Sequence, residues 1–357
     1  MLVLPAVLAL ANPPAAQELA SPPIGLAWRQ GLLCVPIGLM GGKPTWFLLD
    51  TGCYRSLLTR RAYARLRAAG AEISEDGTLT ARGASVGGYS VPPLRFGRES
   101  DRFDFTVDGA ADGYLGMDFL EHYRVGLDLG EKKLRLWPSA IESPKATKEW
   151  FAPIAGTKVW DAPLLSRGEG KCVFVDVGNL TVPMVVDTGC PDTFLHTDVA
   201  DLLADAKKGG SVSAMFYNGM HKIRTYTVPL VGIAGLSLPD RSISVAAVTR
   251  MVGLLGRDLL APLRVLIDYP AARMFFAKTE FDPTEVPMTV YDGPRVTLLN
   301  GVVVRYPQGA VAHVPAFCTY AAPAGYREIL HADQSMDLVP ARRDASGRPQ
   351  RPVAKLE

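Results

Sequence analysis

The chain has 357 residues, of which 48% are hydrophobic and 21% charged, and its formal net charge is +2. That length allows two domains and an appendage, and so even a charge balance excludes a global attraction to nucleic acid or to a membrane surface. The 28 prolines and 34 glycines suit many short strands joined by turns better than a helix bundle.

The first element in chain order is an apolar run at residues 2–11, LVLPAVLALA. It is too short to span a bilayer. Its length suits the hydrophobic region of a secretory signal, with small residues at Ala9, Ala11, Ala15 and Ala16, although no Lys or Arg precedes it. Residues 1–25 are therefore expected to be a signal or N-terminal segment, with export to a periplasmic or extracellular location. The alternatives are an apolar N-terminal strand and a cytoplasmic protein. No other stretch reads as transmembrane, so no stable membrane insertion is expected.

A hairpin pattern follows: LLCVPIGL, a turn at Met40–Pro44, then TWFLLD. Thr59 can cap a helix over RRAYARLRAAG, and MDFLEHY reads as a second short helix. Prolines and mixed polar residues at 139–156 suit a linker. A second hairpin pattern comprises CVFVDV, a turn near Asn179 and TVPMVVD. Thr197 can cap DVADLLADAKKGG, and RDLLAPL matches the earlier short helix. Residues 279–339 form a β-containing extension. The basic stretch 340–357 has the composition of a solvated, disordered tail.

These elements repeat. FLLDTGCYRSLL at 47–58 matches MVVDTGCPDTFL at 184–195, and YLGMDFLEHYRVGLDL at 114–129 matches LLGRDLLAPLRVLIDY at 254–269. The distance from Asp50 to Gly116 is 66 positions, and from Asp187 to Gly256 it is 69. Two matched motifs in one order at nearly one spacing indicate two homologous lobes, 26–138 and 157–278. A single Asp-Thr-Gly is an ordinary turn signal; the doubled constellation is not.

Asp-Thr-Gly at the end of an apolar run, followed downstream by two apolar residues and glycine, resembles the pepsin and retropepsin superfamily of aspartic proteases. The likeness covers the two lobes. It implies a mainly β, bilobal aspartic-protease fold, with two β-barrel-like lobes, a few short helices and a cleft between them. Each lobe is short, like a retropepsin, but the two are fused as in pepsins. By that resemblance Asp50 and Asp187 are the catalytic pair. Thr51 and Thr188 lie beneath them and tie the lobes together. Gly52 and Gly189 let the backbone turn closely under the carboxylates, and Gly116 and Gly256 sit behind those loops. The implied function is an endopeptidase acting on peptide or protein substrates as a monomer, without cofactor or metal.

Two carboxyls about 3 Å apart cannot both ionise, an effect for which aspartic proteases are themselves the standard example. The pair then holds one proton and activates a water by general acid–base catalysis. One departure is that Cys53 and Cys190 follow the triplets, where the superfamily usually has Ser, Thr or Ala. A thiol is a weaker hydrogen-bond partner than a hydroxyl.

Cys34 and Cys53 flank one hairpin as Cys172 and Cys190 flank the other. The two pairs are either bridged or small buried hydrophobes, and Cys318 has no partner in either scheme. The superfamily covers its substrate with a β-hairpin flap. Gly87–Gly88 with Tyr89 is the expected tip in the first lobe; Tyr217 with the Asn218–Gly219 turn is expected in the second. The chain has no His-Glu-x-x-His, Cys-x-x-Cys or P-loop motif. Two rival readings share the fold: an inactive peptide-binding module, and an assembly scaffold whose aspartates do not converge.

Overall fold

Period-two apolar runs become strands, and the strands assemble twice in the same order. The computed structural model describes residues 19–29, 32–98, 111–167, 170–190, 192–204, 206–216, 219–247 and 252–280, and the strand segments 296–298, 302–305, 311–314, 318–320, 326–330 and 335–340. The apolar run 2–11 and the tail beyond 340 lie outside them.

The first half begins with β1 (Ile24–Gly25), β2 (Ala27–Arg29), β3 (Leu32–Gly38), β4 (Thr45–Leu49), β5 (Leu57–Leu58) and α1 (Arg60–Ala68). It continues with β6 (Glu72–Ile73), β7 (Leu79–Ala81), β8 (Ser85–Val86), β9 (Tyr89–Ser90), β10 (Leu94–Arg98), β11 (Gly113–Leu115), α2 (Met117–Leu120), β12 (Tyr123–Asp128) and β13 (Lys133–Pro138). Helix α3 (Ser143–Phe151) leads to β14 (Trp160–Pro163), β15 (Leu165–Arg167), β16 (Gly170–Val177), β17 (Leu180–Val186), β18 (Phe194–Leu195) and α4 (Thr197–Ala200). Then come β19 (Lys207–Phe216), β20 (Gly219–Ile233), β21 (Leu236–Val245), β22 (Gly253–Leu255), α5 (Arg257–Leu260), β23 (Leu263–Asp268) and β24 (Arg273–Lys278).

The protein is mainly β and has two lobes. The first lobe's sheet runs β6-β7-β10-β5-β11-β4-β3-β8-β9, with β2 beside β3, and the second's runs β15-β16-β17-β22-β18-β21-β20-β19. The repeat extends to register. Leu49 lies opposite Leu115 in the parallel pair β4–β11, and Val186 opposite Leu255 in β17–β22. The parallel pairs β5–β10 and β18–β21 match in the same way. Parallel pairing of strands far apart in sequence needs a long crossover, here the chain between β4 and β11 in the first lobe and between β17 and β22 in the second.

A third sheet, β1-β13-β12-β23-β24-β14, takes strands from both halves. At its centre β12 and β23 run antiparallel, with Arg124 opposite Asp268 and Asp128 opposite Arg264. The side chains cross-pair. Arg124 Nε donates to Asp268 Oδ2 at 2.9 Å, and Arg264 Nη1 to Asp128 Oδ2 at 2.8 Å. All four residues are buried, so each charge depends on its partner from the other half.

Three elements differ from the sequence expectation. Residues 139–156, expected to link the lobes, contain a helix, α3, that the sequence reading did not place. Ala146, Trp150 and Phe151 form its buried face, and Trp150 meets Trp137 edge-on at 5.8 Å. In the second lobe α4 is a single turn capped by His196, not a long helix capped by Thr197. Lys207–Gly210 instead belong to β19, where Lys207 and Lys208 pair with Thr227 and Tyr226 and the two glycines, weak helix formers, fall at a break in the register. Residues 19–25, the described part of the N-terminal segment, are built into the fold, since β1 pairs with β13 and Ser21 exchanges hydrogen bonds with Leu136. In the first lobe α1 matches its sequence signal, with the Thr59 hydroxyl accepting from the Ala62 N–H.

Beyond residue 280 the extension holds β25 (Val296–Leu298), β26 (Val302–Arg305), β27 (Val311–Val314), β28 (Cys318–Tyr320), β29 (Tyr326–Leu330) and β30 (Ser335–Pro340). They form a two-stranded sheet, β25-β28, and a four-stranded sheet, β27-β26-β30-β29. Among the described residues no helix is long and apolar enough to cross a membrane.

Candidate active site

Each Asp-Thr-Gly begins where a buried strand ends. Strand β4 delivers Asp50 and β17 delivers Asp187. The neighbouring strand holds each backbone, because the Asp50 N–H donates to Leu115 O and the Asp187 N–H to Leu255 O. The two loops then face one another across the lobe boundary.

The threonines lock that boundary. The Thr51 N–H donates to Thr188 Oγ1 at 3.1 Å, and the Thr188 N–H donates to Thr51 Oγ1 at 2.9 Å. Each hydroxyl in turn donates across: Thr51 Oγ1 to Val186 O at 2.8 Å and Thr188 Oγ1 to Leu49 O at 2.7 Å. Both threonines are buried, so each hydroxyl acts as donor and acceptor with no water available to replace it.

The glycines allow the aspartates to meet. A Cβ on Gly52 would lie 2.6 Å from both carboxylate oxygens of Asp187, and a Cβ on Gly189 would lie 2.5 and 2.7 Å from those of Asp50. Each glycine thus makes room for the other lobe's carboxylate. Asp50 and Asp187 are in hydrogen-bonding contact with one another. Asp50 Oδ1 accepts from the N–H groups of Gly52 and Cys53 at 3.0 and 2.9 Å. Asp187 Oδ1 accepts from the Cys190 N–H at 2.9 Å.

Lost hydration is the largest influence on both carboxyls and raises both. Asp50 is pushed up to about 8, with the nearby charge of Asp187 next in importance. Asp187 is also raised, but backbone N–H groups and the charge of Arg257 oppose the shift. The arrangement therefore favours one shared proton over two free charges.

Gly116 and Gly256 close the loops from behind. A Cβ on Gly116 would lie 2.7 Å from the Arg55 carbonyl carbon, and one on Gly256 would lie 2.8 Å from Thr193 N. The Gly116 N–H donates to Ser56 Oγ at 3.0 Å and the Gly256 N–H to Thr193 Oγ1 at 3.1 Å. Those hydroxyls donate to Asp118 Oδ1 at 2.6 Å and Asp258 Oδ1 at 2.7 Å. Asp118 and Asp258 were not singled out by sequence reasoning. Their signal was available, since each stands two residues after the repeated glycine. Arg257 and Trp28 were not singled out either; their guanidinium and ring lie 5.0 Å apart across the lobe boundary.

The thiols after the triplets do not serve as hydroxyl substitutes toward the aspartates. Cys53 Sγ donates to Arg55 O at 3.0 Å and Cys190 Sγ to Asp192 O at 3.1 Å. Cys34, Cys53, Cys172 and Cys190 are all free, so the hairpin bridges do not form. Register explains this: Cys34 faces Leu48 and Cys172 faces Val185, while Cys53 and Cys190 are carried past the aspartates by their loops. Burial pushes the Cys34 thiol up to about 12. The side chain of Cys318 is outside the described residues.

The flap expectations fare differently in the two lobes. Gly87 and Gly88 do form a tight turn, with φ of 58° and 84°, between β8 and β9. By pairing, however, this turn matches Ala234–Gly235 of the second lobe, since Val86 opposes Ile37 as Ile233 opposes Val175. It lies beside Ile24 of the shared sheet, which a Cβ on Gly87 would meet at 2.9 Å. The Tyr89 hydroxyl donates to Leu19 O at 2.8 Å, holding the N-terminal segment rather than reaching the dyad.

The hairpin that matches the second lobe's β19–β20 arm is β6–β7, because Glu72 opposes Thr80 as Lys207 opposes Thr227. It turns back immediately, through residues 74–78. The β19–β20 arm runs on to Phe216 and Gly219. Tyr217 and Asn218, at its tip, lie outside the described residues, and Gly219 opens β20.

No family model matches the chain, and no curated protein matches its sequence. Among solved structures, the aspartic proteinase from Irpex lacteus is similar at 13% sequence identity and a TM-score of 0.44, over 74% of this chain and 98% of that chain.

Proposed function

We propose that the protein is an aspartic endopeptidase whose Asp50 and Asp187 together activate a water molecule against a peptide bond. One observation carries the reading: two Asp-Thr-Gly carboxyls from separate lobes are in contact, each seated on the other lobe's glycine. A scaffold without chemistry would have no use for two poorly hydrated carboxyls brought together. In the reaction the ionised carboxylate takes a proton from water as the water oxygen bonds to the peptide carbon. The neutral carboxyl gives its proton to the carbonyl oxygen. Collapse breaks the C–N bond, the leaving nitrogen takes the first proton, and the diol returns the second. No covalent enzyme intermediate is formed.

The long β19–β20 arm supports a substrate cover supplied by the second lobe, binding extended peptide through main-chain hydrogen bonds. The test is cleavage of an unfolded protein or a mixed peptide library between pH 3 and 8. Wild type should cut, and Asp50→Asn and Asp187→Asn should each be silent. Peptide binding by a folded wild type with no turnover at any pH would replace this reading with the inactive binding module.

A further inference from the structure

The arm of the second lobe outruns the sheet that carries it. Strand β21 pairs with β20 only from Arg224, which lies opposite Val245, back toward the lobe. Strand β19 follows β20 to the end, from Lys207 opposite Thr227 to Phe216 opposite Gly219. The outer arm, 212–216 with 219–223, is thus a ribbon of two strands, and no third strand pairs with it among the described residues. A two-stranded hairpin by itself is marginally stable in water. Strand β19 is also the edge of the eight-stranded sheet, and an uncovered edge is a template for another chain.

The C-terminal extension meets this arm. Strand β27 approaches both β19 and β20, and β28 approaches β19, with Cα atoms within 8 Å. These are the principal contacts of the extension's strands with the two lobes. No ladder joins them, since β25–β30 pair only among themselves. The contact is therefore one of packing. The sequence of β19, KKGGSVSAMF, suits it: Gly209, Gly210, Ser211, Ser213 and Ala214 carry little bulk, as where another backbone comes close.

We propose that the C-terminal extension is a brace for the β19–β20 arm, docking on it through β27 and β28 and holding the outer ribbon extended. The extension supplies the packing partner that a lone ribbon lacks. Bracing itself rests on strand pairing and packing. Its consequence for catalysis rests on the aspartic endopeptidase reading, in which the arm covers the substrate. A braced arm is already ordered, so less ordering opposes substrate binding.

The test is amide hydrogen exchange, read by mass spectrometry on the full chain, with wild type beside Ala312→Pro. Ala312 lies inside β27, opposite Val304. Proline there removes a backbone N–H and disrupts the strand, while both lobes keep their sequence. Amides of 212–216 and 219–223 should be protected in wild type and exchange at least about tenfold faster in Ala312→Pro. Those of β16 and β17 should keep their wild-type rates. KM for a peptide should rise in Ala312→Pro, and kcat should change less. In a second variant, a specific-protease site is inserted within 281–295 and cut after the chain has folded. The severed extension should stay with the lobes through native gel filtration.

Three results would overturn the brace: arm exchange unchanged when β27 is lost, release of the severed extension, or a lower KM in Ala312→Pro, which would make the extension an inhibitor. The severed chain keeps β27 intact, so poor folding of Ala312→Pro does not shield the idea. A protein that cuts no peptide but shows the exchange response keeps the brace and removes the endopeptidase reading. One that cuts peptide with an arm indifferent to β27 does the reverse.

Discussion

Thr51 and Thr188 each satisfy a backbone donor and a backbone acceptor of the opposite loop. Thr51→Val leaves both unmet in a site without water, at about 1–3 kcal/mol per group. Thr51→Ser keeps the hydroxyl and should stay within about 1 kcal/mol of wild type; urea unfolding of the two variants makes the comparison. Gly52→Ala places a Cβ against Asp187. Displacing a reacting group by about 1 Å costs about 100-fold in rate, so kcat/KM should fall at least that far while the far-ultraviolet circular dichroism stays native. Asp50 titrates at about 8 when folded and near 3.9 when unfolded, so the folded state holds a proton that the unfolded state gives up. Its favourable contribution is complete below about pH 4 and is lost as the pH rises toward 8. Asp50→Asn removes that titration, so its stability relative to wild type should increase from pH 4 to pH 8. A difference that stays constant would mean Asp50 does not hold the proton. The aspartates, threonines and glycines were legible because Asp-Thr-Gly occurs twice. Arg257 and Trp28 were not, because their meeting brings helix α5 of one lobe against strand β2 of the other.

At the scale of elements, the hairpin patterns around each Asp were legible from alternation and turns. The flap of the first lobe was not. Gly87–Gly88 is a strong turn signal, but two hairpins lie between the motifs, and composition does not say which one faces the cleft. Pairing does, and it shows one long arm, β19–β20, against one short one, β6–β7. If the long arm covers the substrate, replacing its outer part with the five-residue turn 74–78 should raise KM by about tenfold, or about 1.4 kcal/mol. kcat should change less, since such contacts bind substrate and transition state alike. Steady-state kinetics on one peptide would separate the two. Helix α3 escaped notice for a different reason: Ala146, Trp150 and Phe151 form an apolar face too small to dominate a segment bearing prolines and charges.

The whole molecule depends on the shared sheet. Arg124 and Asp268, and Arg264 and Asp128, are buried pairs that cross between halves. Removing one partner strands a buried charge at about 3–5 kcal/mol. Asp268→Ala should therefore lower stability by about that amount and, by loosening the lobe boundary, reduce cleavage as well. Denaturant unfolding should show one transition in wild type. A stable Asp268→Ala would mean that solvent reaches Arg124.

The sequence by itself determined the duplication, the mainly β architecture and the two motif aspartates, because apolar periodicity and repeated motifs are written along the chain. The Arg-Val and Asp of YRVGLD and LRVLID were visible as a repeat too. Only the tertiary structure decided that each Arg would pair with the other half's Asp, and which hairpin would be long. Hairpin length follows from strand register, and the cross-pairing from lobe apposition, which brings together residues about 135 to 145 positions apart; no local preference encodes a contact at that separation.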